Sequence, residues 1–324
     1  MSNESNSCSP AQQPVPSDSP PDPQFMKKFE EVIGSWAEAT SAGRDADAQA
    51  AGMQALIMAA EEQLRNPSPD VLLMNEADEL ESQGDWAAAE AARRKVLALA
   101  ESSGNFGKIA KAQMNLCRLL RAVGRGDEAW QFACAATISA RRIKLFPLLV
   151  LVLLNESFCA LQRGDSAKAL TAAAEAVKVI EPGRLHNHER AMALTNRARC
   201  LLAHGDAIGA GSDLAAAWEP LQALSGSWGM PGIRWTLAKW WEVKSRLEER
   251  LGNSNCAREA ITTAIELYRQ GQGPHALLTV AQALDKYAEI SRAAGDPAGE
   301  EQSLSLAKSI REGLNLSHKQ AGAA

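Results

Sequence analysis

The sequence predicts an all-α solenoid of antiparallel helical hairpins, and three observations carry that prediction. Turn-like glycines stand at Gly43, Gly84, Gly124, Gly164, Gly205, Gly252 and Gly295, spaced 41, 40, 40, 41, 47 and 43 residues apart. A fixed period of this size marks stacked supersecondary units. Asp85, Asp165, Asp206 and Asp296 follow their glycines directly, and Asn253 holds the same place after Gly252. A glycine ends one helix in a left-handed conformation, and the Asp or Asn is then placed to cap the next. The third observation is a set of small residues in register with the glycines.

Five residues past each glycine come Ala48, Ala89, Ala129, Ala169, Ala210 and Ala257, with Glu300 the exception. Twelve past come Ala55, Val96, Ala136, Ala176, Ala217, Ala264 and Ala307. Seven before come Ala77, Cys117, Ser157, Ala198, Ser245 and Ala288, with Trp36 breaking the rule in the first unit. Small side chains at these places let two antiparallel helices approach closely. An alanine-rich bundle with accidental glycines would mimic one such column, but hardly three in register.

A small residue, Gly-Asp seven later, then alanines five and twelve further on: this pattern resembles the tetratricopeptide repeat. It covers roughly residues 25–314, and its period exceeds the 34 residues of the standard repeat. The lengthening is similar to that of kinesin light chains and of the ligand-sensing halves of some bacterial transcription regulators. The resemblance implies a right-handed superhelix whose first helices line a concave peptide-binding face.

The expected organisation is a disordered, proline- and serine-rich tail over 1–24, then a degenerate helical hairpin over 25–65 acting as a cap. An array of six units follows over 66–316, entered through the helix break Asn66-Pro67-Ser68-Pro69, and a short flexible tail closes the chain over 317–324. The 47-residue step contains an insertion, Leu224 to Gly232, and five of the eight tryptophans lie around it: Trp218, Trp228, Trp235, Trp240 and Trp241. Two readings are open there, an interaction site rich in aromatic anchors or a local core that tucks Trp228 onto its neighbours.

Nine residues before the turn glycine, four consecutive units carry Asn75, Asn115, Asn155 and Asn196, although the chain has only 12 asparagines in 324 residues. This place lies about 200° around the helix from the small packing residue, so these asparagines point away from that contact. A carboxamide both donates and accepts, and a ladder of them suits an extended peptide backbone whatever its sequence. The resemblance implies that use for these four positions. The competing reading has each asparagine bond the adjacent hairpin and fix the superhelical pitch.

Along the same stripe lie Lys111, Arg118, Phe158, Arg199, Lys239 and Arg246, with Arg121 at the groove edge. They make the face basic in two patches, and guanidinium forks suit carboxylates, either acidic side chains or a chain terminus. Between the patches sits an apolar centre of Met114, Leu151, Leu154, Phe158, Leu161, Met192 and Leu202. A helix apolar nearly all round, as Pro147 to Leu161 is, must be covered on more than one side. Its cover is a ligand, a partner helix or a second copy; the alternative is tight superhelical closure that buries the stripe internally. The candidate peptide-binding residues are therefore Asn75, Asn115, Asn155, Asn196, Lys111, Arg118, Phe158, Arg199, Lys239 and Arg246.

Chemistry is not expected. No Walker loop, H-E-x-x-H, G-x-S-x-G or dinucleotide fingerprint appears. His186 and His188 alternate at a helix entrance and share no face for a metal, and the adjacent carboxylate pairs diverge by about 100° on a helix. A non-enzymatic binder without cofactor or metal is expected, its partner a protein or peptide. The formal charge of −5 argues mildly against nucleic acid. The longest apolar stretch, Leu145 to Leu154, is about half of what a membrane span needs. Six dispersed cysteines with no C-x-x-C pair fit a reducing compartment, and the expected location is the cytoplasm.

Overall fold

The computed structural model describes residues 23–42, 47, 50–51, 54–55, 57–58, 67–143, 145–180 and 187–314. Among them are thirteen α-helices and no strand. They are α1 (Pro23–Ser41), α2 (Pro69–Ser82), α3 (Trp86–Ser102), α4 (Phe106–Ala122), α5 (Gly126–Arg141), α6 (Phe146–Gln162) and α7 (Ser166–Val179). The remainder are α8 (Asn187–His204), α9 (Ala207–Ala223), α10 (Pro231–Arg250), α11 (Ser254–Arg269), α12 (Pro274–Ala293) and α13 (Pro297–Gly313). The chain divides into two compact units, Met1–Asn75 and Glu76–Ala324. The smaller one contains α1 and the start of α2; Gly43, Ala48 and the N-terminal and C-terminal tails lie outside the described residues.

Within the larger unit α3 packs on α4, and from α4 on the helices pack as consecutive pairs, each even-numbered helix with the odd-numbered one after it, and each pair on the next. The first helices of neighbouring pairs also touch, α4 on α6, α6 on α8 and α8 on α10. The three columns of small residues explain how. Ala77, Cys117, Ser157, Ala198, Ser245 and Ala288 are all fully buried, as are Ala89, Ala129, Ala169, Ala210 and Ala257. Ala136, Ala176, Ala217, Ala264 and Ala307 complete the set, with Val96 nearly as enclosed. A larger side chain at any of these places would force apart two helices packed to interior density.

The turn glycines Gly84, Gly124, Gly164, Gly205, Gly252 and Gly295 take φ between 73° and 97°, a region costly for any residue with a Cβ. Behind four of them the expected caps form: Asp85, Asp165, Asp206 and Asp296 each accept from the backbone N–H three residues on. Asn253 departs from expectation. It sits at the N-cap of α11 but makes no side-chain capping bond, because its Nδ2 donates to Glu248 Oε2 at 2.8 Å. That charge-assisted bond holds the amide at the end of α10 instead of over the first turn of α11.

The tryptophan-rich step forms a local core. Ser225–Ser227 makes a short 3-10 turn that folds Trp228 back, and its indole N–H donates to the Leu221 carbonyl at 3.0 Å. Trp240 donates to the Leu214 carbonyl at 2.9 Å and stacks on Trp218 with centroids 4.7 Å apart. These rings, with Trp241, pack on the cluster around Leu214, Leu237 and Val243.

The array closes on itself within the larger unit. Trp86, Ala89, Leu119, Ala122, Leu278 and Leu314 form one buried cluster drawn from α3, α4, α12 and the end of α13. The Trp86 indole donates to the Leu314 carbonyl at 3.0 Å, and Trp86 meets His275 edge-on with centroids 5.9 Å apart. His275 Nε2 lies 2.5 Å from Glu81 Oε2, and Glu81 in turn pairs with the buried Arg93. Of the alternatives for the apolar stripe, tight closure describes part of it: the concave face looks onto its own opposite wall.

Candidate functional site

Closure leaves a cavity of about 300 Å³ on the concave side, walled by five consecutive first helices. From α4 come Arg118, Arg121 and Ala122; from α6, Leu154, Asn155 and Phe158; from α8, Met192, Thr195, Asn196 and Arg199. Helix α10 adds Trp235, Thr236, Lys239 and Val243, and α12 adds His275, Leu278, Thr279 and Gln282. Each helix contributes residues three or four apart because those share one face of a helix. The repeat sets that face: it lies opposite the small residues that bind the hairpins together.

Phe158 is the centre of the arrangement. The Arg121 guanidinium carbon stands 3.6 Å from its ring centroid and that of Arg199 stands 4.0 Å away. Two groups so close to one ring must occupy opposite faces, which puts the cations roughly 7–8 Å apart and costs about 2 kcal/mol of repulsion at an effective dielectric of 20. The ring quadrupole offsets part of that on each face. Their hydrogen-bond partners are neutral: Arg121 Nε donates to Gln162 Oε1 at 3.2 Å, and Arg199 Nη2 donates to Asn196 Oδ1 at 2.6 Å. Among the described residues neither makes an ion pair, and burial pulls both guanidinium pKa values down.

Arg118 also makes no hydrogen bond or ion pair with the described residues; it feels Glu81 and Asp78 only at longer range, and burial lowers its pKa as well. The remaining cation is compensated. Lys239 Nζ sits 2.9 Å from Glu242 Oε2, which also accepts from the Tyr268 hydroxyl at 2.8 Å, while Arg246 Nη2 donates to Glu242 Oε1 at 3.2 Å. Burial by itself would raise the Glu242 carboxyl, but Lys239, Arg246 and the Tyr268 hydroxyl outweigh it and hold the group well below the usual carboxylate range. Among the described residues no Asp or Glu lines the cavity itself. The site is electropositive, with two uncompensated guanidiniums at its centre.

The asparagines divide between the roles open to them. Asn196 Nδ2 donates to Ser157 Oγ at 2.6 Å, tying α8 to α6, while its carbonyl orients Arg199. Asn155 gives one N–H to the Leu151 carbonyl of its own helix at 3.0 Å and otherwise fronts the cavity. Asn115 is half-buried on α4 outside the cavity lining, Lys111 is exposed one turn earlier, and Asn75 is exposed in the smaller unit. Arg118, Phe158, Arg199 and Lys239 thus come together with Asn155 and Asn196. Arg246 lines a second cavity, of about 630 Å³, with Arg250, Glu249, Lys286 and Leu161. Phe158 and Arg199 line both cavities and form the wall between them.

Sequence reasoning missed Glu242, Tyr268 and His275, and named Trp235 only as part of the tryptophan-rich step. The spacing of Glu242, three after Lys239 and four before Arg246, was a usable sign of a shared helical face. Nothing local pointed to His275, whose partner Glu81 is 194 residues away. Among the described residues no cluster of His, Cys, Asp and Glu could hold a metal, and no helix is long and apolar enough to cross a membrane.

No family model matches the chain, and no curated protein does. Solved structures do. The apo form of RapI aligns with a TM-score of 0.60 at 10% identity, over 89% of this chain and 99% of that one. A Rap protein complexed with competence and sporulation factor aligns with a TM-score of 0.59 at 12% identity, over 89% of this chain and 76% of that one. BtubC from P. vanneervenii aligns with a TM-score of 0.48 at 18% identity, over 71% and 92%. With its period, its paired helices and these likenesses, the chain has the fold of the tetratricopeptide-type repeat proteins.

Proposed function

We propose that this chain is a non-enzymatic binding protein that takes a peptide, free or at the end of a protein, into the concave cavity of its repeat array. The observation that carries the reading is the pair Arg121 and Arg199, stacked on Phe158 in a concave cavity with no carboxylate partner among the described residues. Keeping two such cations together is unfavourable in the empty protein and becomes favourable once an anionic ligand is present. Leu154, Met192, Trp235 and Leu278 supply apolar wall beside them, as ligand pockets generally do. A Rap protein of the same fold is complexed with competence and sporulation factor, which supports a binding role. The candidate residues are Arg118, Asn155, Phe158, Asn196, Arg199 and Lys239 in the cavity; Arg246 lines the second cavity, and Asn75, Asn115 and Lys111 are in neither lining.

The reading is tested by location. A random decapeptide mixture is passed over the immobilised protein, and retained peptides are identified by mass spectrometry. Filling the cavity with Met192→Trp or Thr279→Trp, folding checked by circular dichroism, should abolish retention. Retention that survives both variants places binding elsewhere and overturns the reading.

A second reading is favoured by one further observation: His275 and Leu278 line the cavity and also form the seam that closes the array. A ligand there touches the closing contact, so the protein would act as a ligand-responsive regulatory subunit. Small-angle scattering would then show a change in the radius of gyration on loading, and an unchanged profile would leave the plain binding role. The free cysteines, three of them buried, suit a reducing compartment, and the proposed location is the cytoplasm.

A further inference from the structure

Two thiols meet where neighbouring hairpins pack. Cys117 on α4 and Cys159 on α6 come from successive repeats, both are buried, and their sulfurs stand 3.4 Å apart. We propose that Cys159 is a site of oxidation by hydrogen peroxide or a small organic hydroperoxide, and that Cys117 resolves the product into a reversible disulfide tying α4 to α6. Three features lead there, and none depends on a peptide in the cavity.

The first is distance. A disulfide holds its sulfurs at about 2.05 Å, so this pair has to close by about 1.4 Å. Helices α4 and α6 already touch, and the two cysteines share one buried cluster with Leu120, Ala129 and Ala133. Each sulfur turns on a single side-chain torsion, so little else has to move.

The second is charge. The thiolate is the form that reacts, and neighbouring cations favour it. The Cys117 thiol donates to Cys159, and Arg121 and Arg199 both act on it. Together they outweigh burial and the Glu156 charge and bring the Cys159 pKa below its ordinary value. Cys117 is the thiol that keeps its proton. Burial raises the pKa of Cys134 and of Cys200, so neither competes as a nucleophile.

The third is access. Phe158, next to Cys159, lines both cavities, and Arg121, one turn on from Cys117, lines the first. The sulfurs therefore lie directly beneath a solvent-filled wall. Hydrogen peroxide is hardly larger than water and reaches that depth, whereas a bulky disulfide reagent does not.

The Cys159 thiolate attacks one peroxide oxygen, the O–O bond breaks, and hydroxide leaves with the proton the thiol gave up, as water. Cys159 is then a sulfenic acid. The Cys117 sulfur attacks the Cys159 sulfur, the S–O bond breaks, and hydroxide leaves with the Cys117 proton as a second water. The two thiols supply both electrons that reduce the peroxide, and a dithiol reductant restores the pair. Disulfides of proteins in reducing compartments are of this transient kind.

The test uses the full-length chain, reduced, in a Cys8→Ser/Cys256→Ser background that removes the exposed Cys256 and the N-terminal thiol. Hydrogen peroxide is added under native conditions, and peptides are mapped by mass spectrometry without reduction. The expected product is a peptide pair joined through Cys117 and Cys159 and parted by dithiothreitol. Cys117→Ser should stop the reaction at the sulfenic acid, which a cyclic 1,3-diketone then labels at Cys159. Serine already holds that repeat position at Ser157 and Ser245, so this variant should fold. Arg121→Gln, its fold checked by circular dichroism, should slow disulfide formation about tenfold, the thiolate lost with one pKa unit. Cysteines that stay reduced, or a disulfide between any other two, overturn the proposal. So does a sulfenic acid trapped at Cys117 in Cys159→Ser as fast as at Cys159 in Cys117→Ser, and so does an unchanged rate in folded Arg121→Gln. Should a variant fail to fold, the peptide map of the parent chain decides by itself.

Discussion

The Trp86 indole N–H donates to the Leu314 carbonyl at 3.0 Å, across 228 residues of sequence. That one bond joins the first and last helix pairs of the Glu76–Ala324 unit and turns an open groove into a cavity. Trp86 and Leu314 are both buried, in a cluster with Leu119, Ala122 and Leu278. Trp86→Phe removes the donor and leaves a buried carbonyl unanswered, at a cost of about 1 kcal/mol. Trp86→Ala also opens a hole and should cost about 3–5 kcal/mol. Urea denaturation orders the two variants, and small-angle scattering should show the alanine variant expanded while circular dichroism keeps its helix content.

Beside that bond, Glu81 and His275 make the seam sensitive to pH. Burial depresses the His275 pKa below its ordinary value of 6.5, only partly opposed by Glu81, so the imidazole is neutral in the folded protein near pH 7. Burial pushes the Glu81 carboxyl up, but His275, Arg93 and Arg118 outweigh it and bring it below 4.5. A group depressed in the folded state adds stability above its unfolded pKa and loses it as pH falls through the folded one. Both groups therefore have the same sign. The melting temperature should begin to fall as pH drops below about 6.5, and His275→Gln, which keeps a donor toward Glu81, should remove the first part of that decline. A wild-type profile flat from pH 7 to pH 5 would contradict the assignment.

Among the described residues Glu242 is the single acid that answers Lys239 and Arg246, and it accepts from Tyr268 as well. Glu242→Gln keeps the shape and strands two cations, which should cost about 3 kcal/mol. Tyr268→Phe removes only one hydrogen bond and should cost about 1 kcal/mol. Chemical denaturation of both, with Glu242→Leu as an apolar control, separates the charge effect from packing.

The cysteines should react in order of exposure. Cys256 is exposed and Cys134 half-buried, while Cys117, Cys159 and Cys200 are buried. The hydrogen-bonded Cys159 thiol and burial together push the Cys117 pKa far up, and burial raises that of Cys200, so little thiolate forms at either. In a Cys8→Ser background, a disulfide reagent at pH 8 should modify Cys256 within minutes, and Cys117 and Cys200 only in denaturant. Peptide mapping of the first labelled product checks the order.

Much of the fold was legible before any coordinate. The Gly-Asp turns announced themselves because a left-handed glycine and an N-cap are strictly local demands, met by residues next to each other. The columns through Ala89, Ala136 and Ala198 were legible because close helix packing excludes anything larger. Asn253 shows the limit of that logic: the position was right, but Glu248 five residues back took the side chain. The tryptophans around the insertion needed the fold to show which of two roles they play.

The sequence by itself determined the hairpin, its repetition and the stripe that faces inward, since each depends on residues within about one period of one another. Only the tertiary structure decided that the stripe meets its own far side. Closure depends on small rotations accumulated over the whole array, and its bonds, Glu81 to His275 and Trp86 to Leu314, join residues that no period connects. The same accumulation sets Arg121 and Arg199 on opposite faces of Phe158. Sequence placed these residues on one face, and the curvature of the stack decided that two charges from different hairpins would share one ring.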